Sequence, residues 1–175
     1  LEPIVTGKAT AALALREATM NLTNAPIETS ASRKDDGSFS VNGTKRFVLN
    51  APTADVFAML TQLDDKLALF LVEKGAQGLS IDNGSELPAL PGVSFAEVTL
   101  EDCKAREADL IGPLPAKKLL PELGALVDRL WIGLSLGSAA ASLATARKHA
   151  KSHTTGGKPI IAFQEVSFKL AEMLT

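Results

Sequence analysis

A change of hydrophobic pattern near residue 113 limits what this chain can fold into more than any other feature. Before it, short apolar runs alternate with turn signals about every 8 to 12 residues, which is typical of β-structure. After it, apolar residues recur at steps of three and four, as on one face of a helix. The sequence therefore predicts an α+β protein: an antiparallel β-barrel or sandwich over residues 1–113, then the long helices of an incomplete bundle over residues 114–175.

Two hairpins are predicted within the first part. Asn42-Gly43 is the strongest turn signal in the chain, because both central positions of a type I′ turn need positive φ, which Asn and Gly tolerate best. Val56–Leu63 and Leu67–Val72 are predicted to pair across a second turn at Asp64-Asp65. Hairpins of this kind favour a sheet of antiparallel strands.

The second part predicts two helices. The first would run from about Pro121, where a proline suits the first turn, to about His153, and the second would restart at Pro159. The apolar stripe of the first helix contains Leu123, Leu126, Val127, Leu130, Trp131 and Leu134. Two helices cannot enclose a core by themselves. We therefore expect their apolar faces to contact missing chain or other subunits, in a homo- or hetero-oligomer formed through the helical region.

Charge, cysteine content and hydropathy exclude several classes of protein. The formal net charge is -2, so no basic field would attract nucleic acid. Cys103 is the only cysteine, which rules out a disulfide within the chain and fits a reducing, cytoplasmic compartment. The apolar stretch near residues 130–146 is too short and too often interrupted for a membrane span. Because the chain begins at Leu1 and stops inside a predicted helix, we expect a piece of a longer polypeptide.

Few residues offer metal-binding or nucleophilic chemistry. His149 and His153 lie on one predicted helix face, but neighbouring lysines would repel a cation, so no metal site is expected. Gly156-Gly157-Lys158 follows a helix and lacks the upstream glycine of a phosphate-binding loop. The acidic neighbours of Cys103 disfavour its thiolate, which argues against a nucleophile.

Two pairs of adjacent charged residues stand in apolar surroundings. Asp128-Arg129 lies within the stripe of the first predicted helix, and Arg16-Glu17 follows an apolar strand. An ion pair is one interpretation of each, because buried charges are rarely left unpaired. For Asp128 the other interpretation is an active-site acid or base with an adjacent electrostatic partner.

The order of several short segments resembles the acyl-CoA dehydrogenase family over nearly the whole chain. The matching segments are Leu1–Gly7, Ala11–Glu17, Thr29 with Ala31, Asp36-Gly37, Val41–Ala51, Leu69–Glu73, Gly78-Leu79, Phe95–Val98, Leu126–Arg129 and Gly157–Gln164. The resemblance implies a middle β-domain over residues 1–113 and the first two helices of the C-terminal helical domain over residues 114–175. The N-terminal helical domain and the rest of the bundle would then lie outside this chain.

The same resemblance implies FAD as cofactor, between the β-domain and the bundle, and an acyl-CoA thioester as substrate. In the family's reaction a carboxylate removes the α-proton and the flavin takes the β-hydride. The implied cofactor contacts are Leu15, Phe47, Val48, Leu49 and Gln164. A minority of family members carry the catalytic carboxylate on the first long helix at the position of Asp128. The resemblance thus implies Asp128 as the catalytic residue and Arg129 as a substrate-binding residue.

Several positions depart from the family's pattern. Arg16 and Leu49 replace threonines, Ala18 a proline, Met20–Thr23 an Ala-Gly-Ser-Asp loop, His153 an arginine and Gly156 a phenylalanine. At about 1 kcal/mol for each lost hydrogen bond, these changes would weaken FAD binding. Two functions therefore stay open: a divergent acyl-CoA dehydrogenase, and a non-catalytic homologue that acts as a structural partner subunit or an acyl-CoA-binding protein.

Overall fold

The computed structural model describes residues 2–18, 26–87 and 90–174. The chain divides into two compact units, Leu1–Pro121 and Glu122–Thr175. Strands dominate the first unit and helices the second, so the predicted α+β class is confirmed. The predicted loop at Met20–Thr23 lies outside the described residues.

The first unit contains a short helix and the strands of one large sheet. Its elements are α1 (Glu2–Val5), β1 (Ala11–Ala14), β2 (Ser30–Arg33), β3 (Phe39–Leu49), β4 (Val56–Leu63), β5 (Lys66–Glu73), β6 (Leu79–Ile81), β7 (Ser85–Leu87), β8 (Leu90–Ala105), a 3-10 turn (Glu107–Asp109) and β9 (Leu110–Leu114). The hairpin predicted around Asp64-Asp65 is confirmed, because β4 and β5 pair antiparallel across it.

The nine strands form one sheet that does not close into a barrel in the described part of the chain. The strand order is β6-β8-β3-β2-β4-β5-β9, with β1 beside β4 and β7 beside β8. Both β1 and β2 run parallel to β4, where only antiparallel pairs were expected. Pairing between strands that are distant in the sequence leaves no turn signal, so hairpin patterns could not reveal these two contacts.

The core of the first unit is built mainly from β3, β4, β5 and β8. The rings of Phe39 and Phe70 lie 5.0 Å apart within it. Phe57, Met59 and Leu60 of β4 are all fully buried although they do not point to one face. Burial on both faces explains why β4 reads as a nearly continuous apolar run rather than an alternating one.

The hairpin turn predicted at Asn42-Gly43 is wrong. β3 runs without interruption from Phe39 to Leu49, and Asn42 faces a bulge in β8 formed by Glu101 and Asp102. There the Asp102 N–H donates to the Oδ1 atom of Asn42 at 2.7 Å. Gly43 has a φ of 146°, and a Cβ at this position would lie 2.6 Å from the Cα of Thr29. Bulges and close backbone contacts require the same freedom as a type I′ turn, so the residue types alone do not separate them.

The second unit contains most of one long helix and a shorter helix, joined by a small hairpin. Helix α2 spans Ala116–Ser152, and its 37 residues extend over about 55 Å. Strands β10 (Thr154–Thr155) and β11 (Lys158–Pro159) form the hairpin. A 3-10 turn (Ile160–Ala162) then leads into helix α3 (Gln164–Glu172).

The starts of both helices differ from the prediction. Helix α2 begins at Ala116 and includes Pro121 in its second turn. Leu119 and Leu123, on either side of the proline, are both buried, while the proline itself donates no backbone hydrogen bond. Helix α3 begins at Gln164 instead of Pro159, because Pro159 pairs within the hairpin.

Much of the apolar stripe of α2 is exposed within this chain. Leu126, Leu130, Trp131 and Leu134 are all exposed, whereas Leu123 is buried. Exposed apolar patches of this kind are typical of surfaces that contact other polypeptide. Among residues 2–18, 26–87 and 90–174, no helix combines the length and the apolar character that crossing a membrane requires.

We expect Gly43→Ala to lower the free energy of unfolding by about 2 to 4 kcal/mol, because the added Cβ meets the Thr29 backbone at an unfavourable φ. Gly37→Ala is the matched control. Gly37 also has positive φ, but nothing lies within 4 Å of its added Cβ, so the loss should be about 1 kcal/mol. Urea unfolding of the purified protein measures both variants. Equal losses would contradict the close approach of Thr29.

Candidate functional site

The candidate site lies where the chain leaving β1 meets a bulge of β3. The Arg46 N–H donates to the carbonyl oxygen of Arg16 at 2.9 Å, which holds the end of β1 beside β3. In the pairing with β8, Arg46 and Phe47 together face the single residue Glu97. This bulge gives Phe47 a φ of 54°, a left-handed conformation that large side chains rarely adopt.

The bulge places an aromatic side chain at the surface. Phe47 is 50% exposed, and its ring centroid lies 5.7 Å from that of Phe95. Nε of Arg46 lies 2.9 Å from a carboxylate oxygen of Glu97. A cavity of about 180 Å³ is lined by these four side chains and by Asp82, which accepts a hydrogen bond from the Glu97 N–H. The result is a small aromatic surface with a charged rim.

The predicted cofactor contacts of the first unit cluster around this bulge. Leu15 directly precedes the Arg16 contact, and Phe47, Val48 and Leu49 follow Arg46 in β3. Leu15 and Val48 are buried in the core, while Leu49 is 38% exposed. Because all four side chains are hydrocarbon, only their main-chain N–H and C=O groups can hydrogen bond to a ligand.

Directly after the Arg16 contact, the Glu17 carboxylate accepts four hydrogen bonds. Its Oε1 accepts from Lys45 Nζ at 2.6 Å, from the Thr29 hydroxyl at 2.7 Å and from the Thr29 N–H at 3.0 Å. Its Oε2 accepts from the Glu28 N–H at 2.7 Å. We call these four residues the Glu17 network. Glu17 thus forms a buried ion pair with Lys45, a residue that sequence reasoning did not consider as its partner.

Burial and hydrogen bonding act against each other on the two charges of the Glu17 network. Burial alone would raise the pKa of the Glu17 carboxyl, but the hydrogen bonds from Lys45, Thr29 and Glu28 outweigh it and bring the pKa below its ordinary value. Burial lowers the pKa of the Lys45 ammonium, and Glu17 opposes that shift only in part. Four donors surround the carboxylate, whereas the ammonium has lost its hydration. The fold thus stabilises Glu17 as a carboxylate.

Sequence reasoning missed Lys45, although a signal was present. Phe39, Val41 and Lys45 stand at alternate positions of β3 and are all buried. Alternate residues of a strand face one side of the sheet, so a lysine in this series enters the core and requires an acidic partner. For Glu17, within the pair Arg16-Glu17, an ion pair is only one interpretation of the sequence.

A larger cavity adjoins the Glu17 network. Its volume is about 490 Å³, and its lining includes Glu17, Glu28, Asn42 and Arg46. Arg46 also lines the smaller cavity beside Phe47. Charges of both signs and an amide in this lining favour a polar ligand over a hydrocarbon chain.

The remaining predicted site residues lie in the second unit. Asp128 and Arg129 are both exposed on α2, and neither side chain has a hydrogen bond or ion pair within the described residues. The ion pair considered for Asp128-Arg129 is therefore not found in that part of the chain. Gln164 is the first residue of α3 and is also exposed.

The histidines and the cysteine do not form a reactive centre in the described residues. The rings of His149 and His153 stack with centroids 4.9 Å apart. Across the described ranges, no group of three His, Cys, Asp or Glu side chains is placed to hold a metal ion. Cys103 lies in the core, and burial raises the pKa of its thiol.

Comparison with known proteins gives consistent matches along the chain. The family model described as "Acyl-CoA dehydrogenase, middle domain" matches residues 12–103, and the one described as "Acyl-CoA dehydrogenase, C-terminal domain" matches residues 125–175. The short-chain specific acyl-CoA dehydrogenase of Megasphaera elsdenii is 29% identical over 99% of this chain and 47% of its own length. The chain thus spans about half the length of the curated relatives it matches.

Solved structures show the same architecture. Butyryl-CoA dehydrogenase from Megasphaera elsdenii matches with a TM-score of 0.85 and 28% identity, over 98% of this chain and 46% of that one. Glutaryl-CoA dehydrogenase from Mycobacterium smegmatis in complex with FADH2 matches with a TM-score of 0.80 and 25% identity, over 97% of this chain and 44% of that one. Both matches extend through the sheet and the helices.

We expect the free energy of unfolding to decrease under acidic conditions through Glu17. Because its folded pKa is lowered, its contribution is complete above the ordinary value of 4.5 and is lost as the pH falls through the folded value. Glu17→Gln should remove this part of the acid dependence, and Glu101→Gln, an exposed acid outside the Glu17 network, is the matched control. Urea unfolding between about pH 3 and pH 7 measures the slopes. If the free energy of unfolding of Glu17→Gln depended on pH as steeply as that of the wild type, Glu17 would not be the source of the acid dependence.

Proposed function

Because the chain belongs to the acyl-CoA dehydrogenase family, we propose that its protein is an acyl-CoA dehydrogenase-like flavoprotein that oxidises the α,β-bond of an acyl-CoA thioester. The observation that carries this proposal is the match of two family domains, in the family's order, through both units of the chain. Residues 1–113 then correspond to the middle β-domain and residues 114–175 to the first two helices of the C-terminal domain.

FAD fits the first unit through main-chain contacts. The bulge at Arg46 and Phe47 combines backbone groups with two partly exposed apolar side chains, Phe47 and Leu49. A flat, largely apolar ring system with polar edges suits such a surface. The residues proposed to contact the cofactor are Leu15, Phe47, Val48, Leu49 and Gln164. When bound, FAD accepts the hydride that leaves the β-carbon.

Asp128 is the base in this proposal. An α-proton beside a thioester is weakly acidic, so its removal needs a positioned carboxylate and hydrogen bonds to the thioester carbonyl. Asp128 is exposed and has no partner in the described residues, so its carboxylate is accessible to a substrate. It would take the α-proton as the carbon–carbon double bond forms, while Arg129 binds the acyl-CoA.

The exposed stripe of α2 supports an oligomeric protein. Leu130, Trp131 and Leu134 lie on one helix and are exposed within this chain. Burying them against further helices, from the rest of the polypeptide or from other subunits, would complete a bundle. We therefore propose that the protein is a homo- or hetero-oligomer through its helical region.

A non-catalytic role is the second candidate function. The observation that favours it is the side-chain chemistry beside the bulge, where Arg16 and Leu49 stand in place of threonines and Leu49 presents only hydrocarbon. A protein with this change could keep the fold and the acyl-CoA site while losing FAD. It would then act as a structural partner subunit or an acyl-CoA-binding protein.

The visible spectrum of the purified full-length protein separates the two candidates. The enzyme should be yellow, with an absorption maximum at about 450 nm and one FAD released for each chain. Reconstitution with added FAD controls for cofactor lost in purification. A colourless protein that binds acyl-CoA but takes up no FAD, alone or with a partner chain, would exclude the enzyme and favour the second candidate.

Asp128→Asn should lower the turnover of acyl-CoA by about a hundredfold or more, because the amide cannot accept the α-proton. FAD content should stay unchanged. Glu122→Gln, which neutralises another exposed acid on α2, is the matched control and should retain activity. Turnover is measured with an artificial electron acceptor under substrate saturation. Wild-type turnover in Asp128→Asn would reject this residue as the base.

A further inference from the structure

The Glu17 network joins three separate segments of the first unit. Glu17 follows β1, Glu28 and Thr29 precede β2, and Lys45 belongs to β3. Through its two carboxylate oxygens, Glu17 binds donors from both of the other segments. A shift of the Glu17 segment would therefore break hydrogen bonds to both of the others, and a shift of either other segment would break its bonds to Glu17.

The network lies directly beside the bulge. Lys45 is the residue before Arg46, and Glu17 is the residue after Arg16. The buried ion pair and the Arg46–Arg16 backbone hydrogen bond therefore lie next to each other between the same two segments. Phe47, with its left-handed backbone, follows at once. The ion pair and the backbone bond together fix where the main chain of β3 leaves regular pairing.

The close contact between Gly43 and Thr29 fixes the third segment. A Cβ at position 43 would lie 2.6 Å from the Cα of Thr29, so Thr29 packs directly against the β3 backbone at Gly43. From there its hydroxyl and N–H both donate to Glu17. Thr29 is therefore fixed by its packing against Gly43 and by its hydrogen bonds to Glu17, and these bonds orient the Glu17 carboxylate toward Lys45.

A buried ion pair of this kind is better explained by positioning than by stability. The side chain of Lys45 is fully buried, and removing an ammonium from water costs energy that one carboxylate only partly returns. Hydrophobic residues of the same volume would fill the space without that cost. The directional charge-assisted bond, in contrast, fixes the relative position of β1 and β3.

We propose that Glu17 and Lys45 are positioning residues that hold the bulge at Arg46 and Phe47, and the adjoining end of β1, in the conformation whose main-chain groups bind the flavin ring system. This inference rests on the proposed function, because it concerns the same cofactor site. It adds a role for two residues that do not themselves touch the cofactor.

The test compares four variants of the full-length protein with the wild type. Lys45→Met removes one charge, Glu17→Gln/Lys45→Met removes both, and Lys45→Arg keeps the positive charge with a different donor geometry. Lys104→Met is the matched control, because it removes an exposed lysine of the same sheet that pairs with Asp36 at 2.9 Å. Each protein is examined for its Tm, for amide hydrogen exchange at Arg46 and Glu28 without FAD, and for its FAD dissociation constant.

The double variant is the decisive one. It contains no unpaired buried charge, so its Tm should stay near the wild-type value, while Arg46 and Glu28 exchange about tenfold faster and FAD binds about tenfold more weakly. Lys45→Met should show the same two changes with a lower Tm, Lys45→Arg should recover part of the FAD affinity, and Lys104→Met should match the wild type.

A double variant with a normal Tm, normal exchange and normal FAD affinity would overturn the positioning role. A double variant that does not fold would overturn it as well, since the pair would then serve folding itself. A wild-type protein that binds no FAD would contradict the proposed function. Amide exchange in flavin-free protein would still show whether the ion pair holds the bulge, so the two failures are distinguishable.

Discussion

The buried ion pair between Glu17 and Lys45 joins the end of β1 to β3, and the proposed cofactor site depends on this contact. Placing both charges in the core costs several kcal/mol for each ion, at about the scale of a whole domain's stability. The cost is tolerable only because Glu17 accepts three further hydrogen bonds from Thr29 and Glu28. These contacts bring the segments beside β1 and β2 together with β3. The bulge at Phe47 lies two residues after Lys45 in the sequence.

The family relationship and the local chemistry give different kinds of information about function. Membership in the acyl-CoA dehydrogenase family explains why a sheet is followed by long helices with exposed apolar faces. It does not fix the cofactor's affinity, because fold and site can diverge independently. At the bulge, the side chains of Phe47, Val48 and Leu49 are hydrocarbon, so these three residues can hydrogen bond to a ligand only through main-chain groups. In the function proposed above, FAD binding would depend on backbone geometry, which we propose that the Glu17 network holds in place.

Sequence reasoning predicted the elements that local patterns determine. The apolar runs around Asp64-Asp65 gave β4 and β5, and the steps of three and four gave most of α2. It failed where long-range contacts decide the structure. Asn42-Gly43 lies within a continuous strand where Thr29 packs against Gly43, and no local signal contains Thr29. Lys45 could have been recognised from strand alternation, but its pairing with Glu17, 28 residues away in sequence, depends on the sheet topology.

Amide hydrogen exchange of the full-length wild-type protein, with and without FAD, tests the central claim most directly. The account predicts that FAD slows exchange at residues 15–18 and 45–49, where the end of β1 meets the bulge, and leaves the β4–β5 hairpin unchanged. Binding of FAD without added protection at Phe47 to Leu49 would contradict it, because the cofactor would then be held somewhere other than the bulge.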